Sequence, residues 1–447
     1  MRKSRVIAWA GAGTALVVAA AVTIPLMLRQ PHEPTAAPAP VAVTVPVPIS
    51  AASLPKDLSI GVVLPLGETG EDGTEYVGAA QGAVVAAQRL AQGGHPVTLV
   101  SQSDKGTEAG ARTAVEQLVR LGASSVVIMN TGASATAAAD AAAEAGIPAI
   151  APYAPLAGKP QGVFSLAPTA AQVTQARQEA LARAKNVLLV DAGGGIPAGV
   201  KAARTLKLED FDDADALAKE AAIFTGDQLR QPADDAPKDA KASRQENPSD
   251  AVVVSAPNPG TAALVVRSLQ ASGTSTPLIL GDNATSPLFA TALQERGGSV
   301  SSQLVSISGP WSDATALETS DEGRAMSAFL TAVRMVDADP ATKNLAGDAP
   351  FSDDAWAADA RSHDAVVALA QAASAAKSSD AQKIGAALAG LKLGAADGIA
   401  GSPLDFSTDT PSTGEVTAVY ASNQSLGLRT LGRDDPSLIW IPGPATP

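Results

Sequence analysis

The stretch Ser59-Ile-Gly-Val-Val-Leu-Pro-Leu-Gly-Glu-Thr-Gly-Glu-Asp-Gly-Thr-Glu-Tyr-Val-Gly-Ala-Ala-Gln-Gly-Ala-Val-Val-Ala-Ala-Gln-Arg-Leu-Ala91 decides the fold. Its first six residues are a short apolar run rich in β-branched side chains, as expected of a strand buried on both faces. Pro65 to Gly73 is a turn-rich loop. Val77, Ala80, Val84, Ala87 and Ala91 then recur at three- and four-residue spacing, one face of a helix that Gly93-Gly94 stops.

The same alternation continues in both directions of reading. Val97–Val100, Ser125–Met129 and Ile147–Ala151 read as strands, with helical stripes at Ala111–Leu121 and Ala135–Ala145 between them. Such alternation implies βαβ units and a parallel sheet. A second series follows Pro168. Strands are expected at Asn186–Val190, Ala251–Val254, Leu278–Leu280 and Leu304–Ile307, and helices at Pro197–Leu206, Thr261–Ala271 and Pro287–Glu295. Glu209 to Asp250 carries 12 acids and five bases and reads as a helix followed by a solvated surface loop. Glu322–Val336, Ala357–Ala376 and Ala381–Leu391 read as helices, and Leu404–Phe406, Glu415–Ala421 and Leu438–Ile441 as antiparallel strands.

Toward the N-terminus, Arg2, Lys3 and Arg5 precede an uncharged run from Val6 to Leu28, closed by Arg29. About 20 apolar residues span a hydrocarbon core, and the charge bias keeps the N-terminus in the cytoplasm. Residues 1–29 are thus a transmembrane anchor or a cleaved export signal, with the remainder outside the cytoplasm. Residues 30–56, with seven prolines between 31 and 55, read as an extended linker.

The chain of 447 residues has a net charge of −13 and no cysteine. Thiolate metal sites, disulfides and cysteine nucleophiles are excluded, and an acidic chain is a poor partner for nucleic acid. Residues 57–447 alone carry about −17, since residues 1–56 hold five bases and one acid. Gly193, Gly194, Gly195 and Gly199 do not have dinucleotide-binding spacing. Ser374-Ala-Ala-Lys377 matches Ser-x-x-Lys without its companion elements. His32, His95 and His363 lack metal-ligand spacing. No cofactor and no enzymatic activity are expected.

Four segments, in order, resemble the leucine/isoleucine/valine-binding type 1 periplasmic binding proteins, the substrate-binding components of ABC importers. They are Ile60–Ala86, Thr107–Ala154, Gly162–Gln172 and Ser362–Ala373, where His363 takes the place of the family's usual aromatic. The resemblance implies two Rossmann-like, doubly wound α/β lobes joined by a hinge. One lobe would be 57–167 with 300–395 and the other 168–299 with 396–441, followed by a disordered tail, 442–447. The implied function is an extracytoplasmic receptor for an amino-acid-like or amide-like solute, closing on its ligand and docking on an ABC permease. The alternative is a membrane-anchored interaction or regulatory protein with a degenerate site.

Ligands of open α/β sheets sit beyond the carboxyl ends of strands. Those ends supply Thr69 and Glu71, Thr131 and Ser134, Tyr153, Asp191, Asn258, and Asp282 with Asn283. The resemblance implies a solute carboxylate at Thr131–Ser134 and an ammonium at Asp282–Asn283. The bland alternatives are helix capping for Thr131 and Ser134, a loop aromatic for Tyr153, and caps or Asx turns for Asp191 and Asp282. The family's clamp is incomplete: Ala154-Pro155 replaces a Ser/Thr, Gly132 a serine, Gly193–Ile196 a tyrosine, and Asn283 an acid. The scarcity of aromatic residues argues against a sugar site.

Overall fold

The computed structural model describes residues 47–443 except 67–72, 157, 159, 234, 302, 433–434 and 437–438. The amino-terminal anchor or signal, most of the linker, and the last four residues lie outside them. Among the described residues no helix is long and apolar enough to cross a membrane.

Two sheets organise the chain. The first contains β1 (Ser59–Leu64), β2 (Thr98–Ser103), β3 (Ser125–Ile128), β4 (Ala149–Ala151) and β5 (Val163–Ser165) in the order β2-β1-β3-β4-β5. All its pairings are parallel. The second contains β6 (Val187–Asp191), β7 (Arg204–Lys207), β8 (Ala251–Ser255), β9 (Leu278–Ile279), β10 (Leu304–Ser308), β13 (Thr417–Ser422) and β14 (Ile439–Pro442). Its parallel part repeats the first topology as β7-β6-β8-β9-β10, and β13 and β14 extend it antiparallel. Each sheet therefore reverses its winding between its first and third strands, which opens a crevice at their carboxyl ends. A small antiparallel pair, β11 (Lys392–Leu393) and β12 (Leu404–Asp405), completes the strands.

The helices follow from apolar stripes and caps. They are α1 (Gly82–Gln92), α2 (Glu108–Arg120), α3 (Gly132–Glu144), α4 (Ala170–Ala180), α5 (Ala214–Phe224), α6 (Pro259–Ala271), α7 (Pro287–Glu295), α8 (Asp321–Asp337), α9 (Ala360–Ala376) and α10 (Ala381–Leu388). Helix α9 is buried almost all round, because α1, α10 and the first sheet pack on it. Its entry depends on Gly82: a Cβ there would lie 2.0 Å from the Asp359 carbonyl oxygen. The start of α9 is thereby held against α1.

Several expectations change. The helix expected at Pro197–Leu206 is absent. Gly195 and Gly199 take φ of +72° and +82° there. These left-handed turns break a helix, and Thr205-Leu206 joins edge strand β7 beside β6. Helix α4 escaped the periodicity, although Thr169 and Gln172 form a reciprocal capping box at its start. Strand β10 belongs to the second sheet, so the chain returns to the first half after Ser308 rather than at 300. Ile399, Leu404 and Phe406 pack in the first core, so the last crossing follows Phe406 rather than residue 395. Residues 47–51, expected in the linker, are docked instead. Ile49 is buried, its N–H donates to the Arg89 carbonyl at 3.1 Å, and the Val47 carbonyl accepts from Arg89 Nε at 3.0 Å.

Arg89 begins a buried polar chain. Arg89 Nη1 lies 3.0 Å from His363 Nε2, and His363 Nδ1 lies 2.8 Å from Asp364 Oδ1. The Asp364 carboxylate also accepts from the Ala400 and Gly401 N–H groups at 2.7 and 2.8 Å. An arginine can only donate, so the imidazole accepts through Nε2 and carries its proton on Nδ1. Burial holds the His363 pKa below its ordinary value, Asp364 opposing, and pulls Arg89 down to about 10. This chain ties residues 47, 89, 363–364 and 400–401 together, which explains histidine at a position where the family resemblance expects an aromatic.

Candidate functional site: an aromatic and arginine-lined cleft

The crevice between the sheets is crossed by the 3-10 turn Thr74–Tyr76, which follows β1. The Tyr76 ring stacks on the Tyr153 ring at 4.3 Å and 4°. The Arg361 guanidinium carbon lies 4.9 Å from the first ring centre and 4.7 Å from the second. These three centres form a nearly equilateral triangle, so the cation nests against both rings. It also lies 5.8 Å from the Trp311 ring. Contacts of this kind contribute about 0.5–2 kcal/mol each, more when desolvated.

Asp359 anchors the group. It caps α9 by accepting from Ser362 N at 3.0 Å, and it accepts from Tyr153 Oη at 2.8 Å and Arg361 Nε at 3.0 Å. Burial opposes the Arg361 charge, but Asp359 and the phenols hold its pKa above the ordinary value. Burial pushes Tyr76 up to about 12 with Arg361 opposing, and burial with Asp359 pushes Tyr153 well up.

Beside this cluster lies a cavity of about 170 Å³, walled from both halves. Trp356, Asp359 and Arg361 face it from the first half, and Thr285, Ser286 and Trp440 from the second. Trp311, Ser312 and Asp313 line it from the passage after β10, and Arg429 from the loop between β13 and β14. Arg429 grips Asp313 through Nε at 2.5 Å and Nη2 at 2.9 Å. Three of the four tryptophans of the chain thus surround one cavity, so the few aromatics are concentrated rather than dispersed. Trp311 fits because its neighbours lack side chains: a Cβ at Gly309 or Gly401 would lie 2.3 or 2.5 Å from its indole.

The residues chosen from strand ends fare unevenly. Thr69 and Glu71 lie outside the described residues. Thr131 occupies the N-cap of α3 without a capping bond, and its hydroxyl donates to Glu75 Oε2 at 3.0 Å. Ser134 is half-buried in the first turn of α3. Asp191 closes its own turn, accepting from Gly193 and Gly195 N–H groups at 3.0 and 2.9 Å. Asn258 caps α6 through Thr261 N at 2.9 Å. Asp282, exposed, and Asn283, half-buried, open a 3-10 turn, and the Asp282 charge reaches Tyr76 and Arg177. Thr131, Tyr153 and Asp282 therefore converge on Glu75-Tyr76, while none of the seven described candidates lines the cavity. Asp359, Arg361, Trp311, Trp356, Asp313 and Arg429 were missed. The only sequence signal for any of them is the position of Asp359 and Arg361 at the start of the family-like helix. Among the described residues no three His, Asp or Glu side chains are grouped as a metal ion requires.

Residues 57–211 match the family described as periplasmic binding protein. No curated protein matches the chain significantly. The branched-chain amino acid transporter substrate-binding protein LivJ of Streptococcus pneumoniae, solved with isoleucine, aligns over 87% of this chain and 100% of its own, at 20% identity and a TM-score of 0.58. The leucine-binding protein LivK of Thermotoga maritima aligns over 82% and 96%, at 15% identity and 0.56. An ABC transporter substrate-binding protein of Desulfitobacterium hafniense, solved with Leu, aligns over 86% and 100%, at 13% identity and 0.56. Residues 57–211 thus match the periplasmic binding protein family, and the fold of the chain is similar to that of type 1 proteins of the leucine/isoleucine/valine-binding kind.

Proposed function

We propose that the chain is an extracytoplasmic solute-binding receptor that takes a small amino-acid-like solute between its two halves, closes on it, and presents it to an ABC permease. The observation that carries this reading is the cavity of about 170 Å³ at the mouth of the crevice, walled from both halves. A solute touching both walls favours the closed arrangement by its differential affinity for it. The neighbours solved with leucine or isoleucine support an amino-acid-like ligand. No catalysis is part of this reading. The basic residues and apolar run of residues 1–29 support export, with an uncleaved single-pass anchor as the proposed tether. Carbonate extraction of membranes and N-terminal sequencing of the mature protein test that tether.

A thermal-shift screen of the full chain against amino acids, amides, short peptides, polyols and sugars tests the receptor reading. A solute at 100 times its dissociation constant adds about 2.7 kcal/mol of stability. One observation favours the alternative, a membrane-anchored interaction or regulatory protein: Glu75 and Tyr76 fill the crevice where the resemblance implies the amino acid. A flat response from folded protein, with a membrane protein co-purifying, supports that alternative.

A further inference from the structure

The cavity is unequally furnished with charge. Among the described residues four charged groups line it: Arg361, Arg429, Asp313 and Asp359. Arg429 is used up. Its Nε and Nη2 hold Asp313, and its Nη1 donates to the Ala355 carbonyl at 3.3 Å. Asp359 is also used up, accepting from Tyr153, Arg361 and Ser362. Arg361 is different. It donates only through Nε, and both of its Nη groups are left without a bond to the described residues. Its side chain is 12% exposed, and it lines the cavity.

We propose that the free fork of Arg361 receives the carboxylate of the solute, and that a planar ring of that solute lies among Trp311, Trp356 and Trp440. The substrate class is a small aromatic carboxylate. This deepens the receptor reading above and rests on it.

Three physical points select the class. Two parallel N–H groups of a guanidinium match the two oxygens of a carboxylate, with an energy and geometry a single donor cannot supply. A cationic solute is disfavoured because the nearby ring faces already carry Arg361, whose charge repels a second cation. The volume, about 170 Å³, admits one ring and its acid group. Indole surfaces reward a flat apolar body by stacking or edge-to-face contact beyond area burial. The position also differs from the Thr131–Ser134 turn that the family resemblance implies for a carboxylate.

The experiment is a titration of the purified full chain, read by tryptophan emission, which three cavity residues dominate. The probes are phenylacetate, 3-phenylpropionate and L-phenylalanine, with phenylacetamide, phenethylamine and leucine as comparisons. The expected result is saturable binding of at least one aromatic carboxylate and at least tenfold weaker binding of phenylacetamide and phenethylamine. Arg361→Lys keeps the charge and removes the fork, and should weaken the bound carboxylate at least tenfold. If Arg361→Lys does not fold, Trp356→Phe serves, because it leaves all four charges in place; it should weaken aromatic carboxylates at least threefold. Leucine binding more tightly than every aromatic acid, or unchanged aromatic-acid affinity in the folded variant, overturns this inference and leaves the receptor reading intact. Binding of no member of this set or of the wider solute screen overturns both.

Discussion

Asp359 holds three donors at once, and Asp359→Ala removes the acceptor from all of them. They are Ser362 N, Tyr153 Oη and Arg361 Nε, at 3.0, 2.8 and 3.0 Å. Breaking one side of a buried ion pair costs about 3–5 kcal/mol. This pair retains side-chain exposures of 12% and 18%, so the low end, about 3 kcal/mol, applies. Loss of a helix N-cap adds about 1 kcal/mol and an orphaned phenol about 1 kcal/mol more. The total of about 5 kcal/mol is a large share of the 5–15 kcal/mol typical of a folded domain. Asp359→Asn keeps a capping oxygen and loses the charge, so it should cost about 2–3 kcal/mol. Combining Asp359→Asn with Arg361→Met removes the stranded cation, so the double variant should be about 2 kcal/mol better than the sum of the singles. Urea unfolding, followed by tryptophan emission and circular dichroism with the slope held constant, measures all five proteins: the native chain, Asp359→Ala, Asp359→Asn, Arg361→Met and the double variant. A cost under about 1 kcal/mol for Asp359→Ala, or no coupling in the cycle, would refute the claim that this carboxylate organises the cleft.

Three further outcomes are expected. His363 has its pKa lowered in the folded protein, mainly by burial, so the unfolded chain binds the proton more readily. Stability is therefore complete above about pH 6.5 and falls below it by about 1.4 kcal/mol per pH unit, until the folded-state value is reached. Melting curves from pH 7.5 to 5 should show this slope in the native chain and lose it in His363→Gln; equal slopes refute it. Gly309→Ala drives a methyl to 2.3 Å from the Trp311 ring, and overpacking of this kind costs about 1–3 kcal/mol. Its emission spectrum should shift, and an unchanged spectrum with unchanged urea midpoint counts against the wedge. Asn258→Ala removes the cap of α6 at a cost of about 1 kcal/mol, and solute affinity should stay the same, because this side chain serves its helix and not the cavity. A drop in affinity at constant stability would restore Asn258 to the site.

Much of the fold is legible in the sequence because buried parallel strands and helix stripes leave local periodicities. Ser59–Leu64 and Ala251–Ser255 are apolar runs, and both became central strands. Edge strand β7 was illegible for the converse reason. Alternation over four residues, with charged Arg204 and Lys207 at its ends, is too short to outweigh a plausible helix. The cleft was less legible still. Strand ends can be located from the pattern, but their side chains mostly serve the ends themselves, as Asp191 and Asn258 do. The cavity walls come from Trp311, Trp356, Arg361, Arg429 and Trp440, spread over more than a hundred residues on crossings and late loops. Nothing in local spacing brings such residues together; only packing between the halves does.

The polypeptide passes between the halves after Ser165, after Ser308 and after Phe406, and the middle passage, Gly309–Asp313, is itself a wall of the cavity. In a pair of bodies that pivot on their connections, displacement grows with distance from the axle. A guest lodged beside the axle meets walls that travel a short arc, while the outer rims sweep a long one. Seating it there demands little closing travel at the point of contact and amplifies that travel at the periphery. On the receptor reading proposed above, the outer loops are the pointer of the device, and small adjustments of the Trp311 passage set the angle they display.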